Sequence, residues 1–450
     1  MSDPTFVSLV HLGCARNLID SELILGRMGE QGLVVTNDPS GAHTVVVNTC
    51  SFIGPAQVES ENAIKDLLER KARGEIQGVV VAGCLVQRYR RKLQERFPQV
   101  DFFAEISDYS DLARRVRDLA DGRSVPRYLE GPAERSAALV EGGRLRATPG
   151  SYSYLRISHG CDHKCTFCTI PSIRGLHRSK PIGNLVNEAR ELAAEGTREL
   201  ILVAEDSTWW GRDIGKELPE LLEALGEVEG IEWIRLMYAY PNRFPWDAAR
   251  LMREHSKVLP YIDIPVQHAA TPVLRAMGRA GSGEQVRKVL RRLRNEVPDV
   301  TIRTTFLMGF PGETEADAAE VVDLIREFEL SRVGAFSYSP EPGTPAFDLP
   351  GQVPPAEAEA RHTAVLQARD EMLLAKQEAL VGTEITVLVD EPARGREYLV
   401  ARGTMDAPEV DLYALVMNSD AQPGEFLRVR VDGVGEELDL VCTPVESKPA

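Results

Sequence analysis

The sequence has no run of 18 or more apolar residues, so nothing in it reads as a membrane-spanning helix. Its opening, Met1-Ser2-Asp3-Pro4-Thr5-Phe6, lacks the basic-then-apolar order of a secretory signal. A soluble, cytoplasmic protein with no membrane partner is the expectation. Positive charge is in deficit: 52 Lys and Arg stand against 68 Asp and Glu, a net charge of −16. That balance repels a phosphate backbone unless cations cluster locally, so bulk RNA or DNA binding is disfavoured. Low-complexity tracts and internal repeats are missing. With 43% hydrophobic and 27% charged residues, the composition is globular and excludes a disordered, collagenous or coiled-coil chain. Cysteine is scarce and odd in number. The seven, Cys14, Cys50, Cys84, Cys161, Cys165, Cys168 and Cys442, do not suggest a disulfide framework in 450 residues; metal ligation or catalysis accounts for them better.

Three short apolar runs, 7–14, 44–50 and 78–84, each end on a cysteine, at Cys14, Cys50 and Cys84. They read as buried strands, each followed by a helical pattern. The clearest helix runs from Pro55 to Arg73, with Pro at its start and Ala63, Ile64, Leu67 and Leu68 on one face. Strand and helix alternating without hairpin signals predict a parallel sheet, and such sheets gather ligands beyond the carboxyl ends of their strands. The three cysteines should therefore converge on one site, although three small packed side chains are the alternative. From about Ala120 to Gly150 the periodicity fades. A second alternating block then predicts strands at 154–158, 200–204, 233–239, 261–266, 302–307 and 333–338, six βα units of an incomplete parallel barrel. Its strand ends carry Cys161, Glu205 with Asp206, Tyr240, Gln267 with His268, and Met308 with Gly309, where parallel barrels hold their active sites. A helix over 354–380 leads to Gly382, and five short strands follow as a small β-barrel. The expected fold class is α/β: a parallel α/β domain at 1–122, a linker at 123–150, a partial (βα)6 barrel at 151–380 and a five-stranded β-barrel at 381–450.

The strongest local signal is Cys161-Asp162-His163-Lys164-Cys165-Thr166-Phe167-Cys168, a C-x3-C-x2-C loop after the first barrel strand. Thiolates at this spacing hold three irons of a cubane iron–sulfur cluster, and with no fourth cysteine nearby one iron stays open to a ligand. The competing reading is a structural zinc site completed by His159, His163 or His177. Against it, the loop opens a barrel, and no second Cys or His pair follows at ribbon spacing. With its aromatic before the last cysteine, the motif resembles the radical S-adenosylmethionine superfamily. Three N-terminal cysteines, a radical barrel and a TRAM-like C-terminal barrel, in that order, resemble the methylthiotransferases over essentially the whole chain. Within that family, the run from Gly13 to Glu22, Tyr238-Ala239-Tyr240-Pro241 and the run from Leu259 to His268 are similar to the RimO branch, which modifies ribosomal protein uS12. The family usually has Pro-Lys after the first cysteine, where this chain has Ala15-Arg16.

The resemblance implies a radical S-adenosylmethionine methylthiotransferase whose cofactors are two 4Fe-4S clusters and S-adenosylmethionine. Cys161, Cys165 and Cys168 would hold the cluster that cleaves S-adenosylmethionine to a deoxyadenosyl radical. Cys14, Cys50 and Cys84 would hold an auxiliary cluster carrying the sulfur destined for the β-carbon of an aspartate of uS12. No catalytic residue beyond the cluster ligands is implied. Phe167, Glu205, Gln267 and Gly309 are the candidate cofactor-binding residues, with a packed aromatic as the alternative for Phe167. A reductant such as flavodoxin or ferredoxin is an expected partner. The alternatives are the same chemistry on a tRNA adenosine, as in the MiaB branch, and a non-catalytic zinc- and RNA-binding protein. Arg174 and Arg178 either meet a carboxylate or belong to an exposed charged face; Cys442 reads as packing. From Gly382 to Ala450, fourteen acidic residues stand against six basic ones, so half of the −16 lies in the last 69 residues. Such a barrel suits a basic ribosomal protein better than RNA, with a merely solubilising face as the alternative.

Overall fold

Thr44–Thr49 and Gly78–Gly83 each carry three consecutive valines and are buried at every position, as strands covered on both faces are. The computed structural model, which describes residues 4–132, 142–279 and 281–445, sets them at the centre of a six-stranded parallel sheet. Its order is Val34–Val35, Phe6–His11, Thr44–Thr49, Gly78–Gly83, Phe102–Ala104, Tyr128–Leu129. Helices Ala15–Glu30, Gly54–Ala72 and Ser110–Ala120 make the longer crossovers. The last short strand falls inside 123–150, the stretch expected as a linker, so that stretch begins as an edge of the sheet. Further along it Arg144 is buried, paired with Glu22 at 3.3 Å and Glu188 at 3.2 Å, and so pins this segment to two domains at once. Residues 133–141 of the expected linker lie outside the described residues.

The second sheet has six parallel strands in chain order: Tyr152–Arg156, Glu199–Val203, Trp233–Leu236, Val258–Asp263, Thr301–Met308 and Arg332–Ser337. Helices Ile182–Ala194, Leu218–Gly226, Trp246–Glu254, Gly283–Glu296 and Glu315–Glu327 cover its outer face. The sheet is not closed. Its inner face is packed by the neighbouring domains: Tyr154, Ile201, Val203, Met237 and Tyr261 share one core with Leu23, Met28 and Phe102 from the first sheet and its helix, and with Leu388 and Ala407 from the C-terminal barrel. The fourth strand starts three residues earlier than the sequence suggests. Pro260 reads as a strand breaker because it donates no N–H, but the ladder to Trp233–Leu236 shifts register between Ile234 and Leu236, and that irregularity accommodates it.

Helix Pro355–Leu380 packs against the last two barrel strands and leads into a closed five-stranded barrel of Glu384–Glu391, Tyr398–Gly403, Ala414–Met417, Leu440–Pro444 and Phe426–Val434 in spatial order. The third strand begins at Ala414, three residues after Asp411. Asp411 is drawn to the parallel barrel, where Tyr261 donates a 2.6 Å hydrogen bond to it and Arg303 lies at 3.4 Å. Arg332 with Asp406 at 2.7 Å, and Arg402 with Glu199 at 2.8 Å, extend this buried polar seam. Cys442 is fully buried in the C-terminal barrel core, its thiol pushed up to about 12 by burial. None of the helices in the described residues is long and apolar enough to cross a membrane.

Candidate functional site

Cys14, Cys50 and Cys84 follow the carboxyl ends of three adjacent strands of the first sheet, and two glycines set how closely their loops approach. Gly13 has φ +107, and a Cβ there would lie 2.9 Å from Cys50 Cβ. Gly83 has φ +93, and a Cβ there would lie 2.3 Å from Asn48 Oδ1. Both conformations strain any other residue. Cys14 caps helix Ala15–Glu30 and is solvent-exposed, whereas Cys84 opens helix Cys84–Tyr89 and is buried. Arg174, from the cluster side of the barrel, donates to Cys84 Sγ at 3.3 Å and to Asp20 at 2.6 Å. Crowding by the surrounding loops partly desolvates the Cys14 thiol, but the charges of Arg16 and Arg174 outweigh that and hold it below the ordinary value. At Cys50 and Cys84 burial prevails, pushing the latter to about 11.

The loop from Cys161 to Cys168 is fixed at both ends and in the middle. Cys161 N donates to Gly175 O at 3.0 Å, Thr166 N to Met277 O at 2.9 Å, and Ile170 N to Cys168 Sγ at 3.5 Å. Gly278, at φ +65, backs the loop where a Cβ would meet Lys164 O at 2.7 Å. Burial pushes both Cys161 and Cys168 up to about 12, so in the metal-free protein these thiols stay protonated at neutral pH, and a bound cation is what would draw the thiolates out. Among the described residues, no three His, Cys, Asp or Glu side chains gather as they would around a single ion. That is compatible with a cubane, in which each thiolate takes its own iron.

Against the Cys161, Cys165 and Cys168 trio lies a cavity of about 230 Å³ whose wall also includes Glu205, Tyr238 and Gln267 and, from the first domain, Arg16. Tyr238 and Gln267 both hold positive φ, 59° and 73°. Strain of this kind costs on the order of 1–3 kcal/mol per residue and persists where the surroundings impose it. Here Tyr238 N is held by Asp263 Oδ2 at 3.1 Å, and Gln267 N by Thr305 O at 2.9 Å. Glu205 Oε2 is buried without a hydrogen-bond partner in the structure, an acceptor awaiting a donor; an ammonium group entering the cavity would satisfy it. His163 stacks on Tyr240 with centroids 3.8 Å apart and bonds Asp206 at 2.6 Å. A narrower apolar recess of about 160 Å³, walled by Phe52, Phe167, Leu307, Phe336 and Tyr338, continues from it. A thiol trio on a rigid loop, an orphaned carboxylate and an apolar recess together fit an iron–sulfur cluster with S-adenosylmethionine.

Of the four cofactor candidates, Phe167, Glu205 and Gln267 line this cavity and Gly309 does not. Gly309 faces Ala358 of the long C-terminal helix, where a Cβ would come within 2.4 Å, so its missing side chain serves helix packing. Phe167 also packs edge-to-face on Phe310 at 6.5 Å. His268 is fully buried against Glu313 at 3.3 Å. Arg174 is buried on Asp20, and Arg178 is exposed. Sequence reasoning missed Arg279, whose guanidinium covers Tyr240 at 4.0 Å and donates to Cys165 Sγ at 3.8 Å. No local pattern marks it. Arg16 stood out only as a departure from the family motif.

The comparisons agree with this arrangement. Residues 155–325 match the radical SAM superfamily, 7–105 the uncharacterized protein family UPF0004, and 381–445 the TRAM domain. Solved structures of the radical S-adenosylmethionine methyltransferase TsrM from Kitasatospora setae, one holding tryptophan and a SAM analogue, share the fold. That one has a TM-score of 0.55 and 16% identity over 76% of this chain and 75% of the other. The ribosomal protein uS12 methylthiotransferase RimO of Desulforamulus reducens is 37% identical over 95% of this chain and 96% of the relative. That of Sorangium cellulosum is 39% identical over 96% and 91%. With this likeness over nearly the full length and all three domain types in the same order, the chain belongs to the RimO family of radical S-adenosylmethionine methylthiotransferases.

Proposed function

We propose that the enzyme inserts a methylthio group at the β-carbon of an aspartate of ribosomal protein uS12. The observation that carries this reading is the cavity at the Cys161, Cys165 and Cys168 trio, whose wall takes in Arg16 of the first domain, two residues from Cys14 of the other trio. Two metal centres serving one substrate need that proximity. In this reading Cys161, Cys165 and Cys168 hold one 4Fe-4S cluster, and Cys14, Cys50 and Cys84 hold a second. The clusters supply the one-electron chemistry that opens S-adenosylmethionine and the sulfur to be transferred. The chain's own residues position the reactants. Glu205 takes the cofactor's ammonium group, Gln267 bonds its polar groups, and Phe167 with the apolar recess receives the adenine. Phe52 and Phe336, 40% and 53% exposed at the mouth, exclude water once substrate is seated.

The division of labour follows the chain: 1–122 for the auxiliary centre, 123–150 as connection, 151–380 for the radical centre and 381–450 as a recruiting surface for basic uS12. The compartment is the cytoplasm, and a reductant such as flavodoxin or ferredoxin supplies electrons. The test is mass spectrometry of uS12 and of digested tRNA from a strain lacking this gene. Loss of the methylthio group from uS12 alone supports the reading; loss from tRNA with uS12 intact overturns it.

A further inference from the structure

We propose that Arg16 binds the carboxylate of the target aspartate and so makes the enzyme select an acidic residue over its neutral amide. This rests on the substrate reading above and adds the group that recognises it. Arg16 is anchored on two strand ends: Nη1 donates to Ala204 O at 3.1 Å, and the guanidinium lies over the Tyr238 ring at 4.8 Å. One carbonyl, one ring and the Cys14 thiol engage it, and a guanidinium carries five donors in a fixed fork, so donors remain for an anion in the cavity that Arg16 lines. The cavity's other fixed cation, Arg279, is committed elsewhere. It donates to Pro265 O and Cys165 Sγ and covers Tyr240, which ties it to the cluster loop. Glu205 acts on Arg16 by charge, but its Oε2 makes no hydrogen bond to the guanidinium.

A carboxylate is the anion whose geometry matches that fork with two parallel bonds. In an aspartate the carboxyl carbon is bonded directly to the β-carbon, so gripping the carboxylate fixes the reacting carbon one bond away, in the cavity that Cys161, Cys165 and Cys168 line. Such fixing is the positioning on which rate depends. A site built to pair a charged group rejects the analogue that leaves its own group unpaired.

The experiment uses the anaerobically reconstituted enzyme and two synthetic peptides, the uS12 segment spanning the target aspartate and the same segment with asparagine in its place. Affinity is read by fluorescence anisotropy and methylthio product by mass spectrometry, with iron and sulfide content measured in parallel. The wild type is expected to favour the aspartate peptide by at least about tenfold, and Arg16→Gln to bring the ratio to about one. Because Arg16 lies beside Cys14, Arg16→Lys serves if the glutamine variant loses iron: charge stays, the fork goes, and the ratio is expected to fall to about threefold. An aspartate preference unchanged in either variant with full iron content overturns the role of Arg16, while product on the aspartate peptide leaves the substrate reading standing. A wild type that binds and modifies neither peptide overturns both.

Discussion

Replacing Asp20 with asparagine tests whether the two halves of the site are held together by charge. Asp20 is 1% exposed and accepts from Arg156 at 2.8 Å and Arg174 at 2.6 Å, so one carboxylate on helix Ala15–Glu30 ties the first domain to two arginines of the barrel. Burial raises its pKa, yet the two guanidinium groups outweigh that and hold it below the usual carboxylate range. Asn preserves shape and removes charge, leaving two buried cations short of their partner; breaking a buried pair this way costs about 3–5 kcal/mol. At roughly 2–4 °C per kcal/mol for a domain of this size, the apparent melting midpoint of the metal-free protein should fall by roughly 10 °C. A group whose folded pKa is depressed stabilises above its unfolded value and loses that contribution as pH falls through the folded one. The gap between wild type and variant should therefore be full at pH 7 and close below about pH 4. Differential scanning fluorimetry across pH reads both. A midpoint within about 2 °C of wild type at pH 7, or a gap unaffected by acid, refutes the electrostatic account.

Cys165→Ala should abolish deoxyadenosine formation, because two thiolates do not hold the cluster that binds S-adenosylmethionine, whereas Cys50→Ala should still release deoxyadenosine and make no methylthio product. Iron analysis with product chromatography checks both, and normal product from Cys50→Ala would remove the auxiliary site. In the metal-free protein, alkylation followed against pH should reach Cys14 first, since it is exposed and the charges of Arg16 and Arg174 outweigh partial desolvation and lower its thiol. Cys84, buried and raised to about 11, should resist until strongly alkaline pH; equal rates at pH 7 would contradict this.

The valine-rich strands are legible in the sequence because burial on both faces leaves an unbroken apolar run, and helix Gly283–Glu296 because Ser282 caps it and its apolar positions keep a helical period. Boundaries moved where tertiary partners intervened, at Pro260 and at Asp411. The Cys161, Cys165 and Cys168 trio is legible because its C-x3-C-x2-C spacing is local, and Cys14, Cys50 and Cys84 because each ends a short apolar run. The cations that approach the cysteines are not. Arg174 looks like surface charge until its carboxylate, 154 residues away in sequence, is brought against it, and Arg279 reaches Cys165 across 114 residues. Gly309 shows the converse, a glycine at the expected strand end whose freedom serves helix packing.

The acidic C-terminal barrel needs a narrower role than its charge count suggests. Asp390, Asp406 and Asp411 are turned inward on Arg402, Arg332 and Arg303, and Glu446 lies outside the described residues. Glu384, Glu391 and Asp432 are each paired with a neighbouring arginine. Among the exposed acids, Glu436 and Glu437 stand side by side in the turn after Phe426–Val434. The barrel meets the parallel sheet through residues such as Glu199 and Arg332, at the amino ends of their strands, while the cavity opens at the carboxyl ends. A strand of six residues, such as Val258–Asp263, spans on the order of 20 Å, about twice the screening length at physiological salt. In the proposed function these acids would steer a basic protein toward the enzyme without touching the reacting residue. Reversing Glu436 and Glu437 to Lys should slow association with intact uS12 severalfold at low salt and flatten its salt dependence, with turnover of a short aspartate peptide unchanged. Asp439 is left alone because it accepts from Tyr413 N at 2.9 Å and holds the turn. Stopped-flow association of uS12 against ionic strength decides: equal rates for wild type and double variant at low salt would reduce these acids to a solvated face.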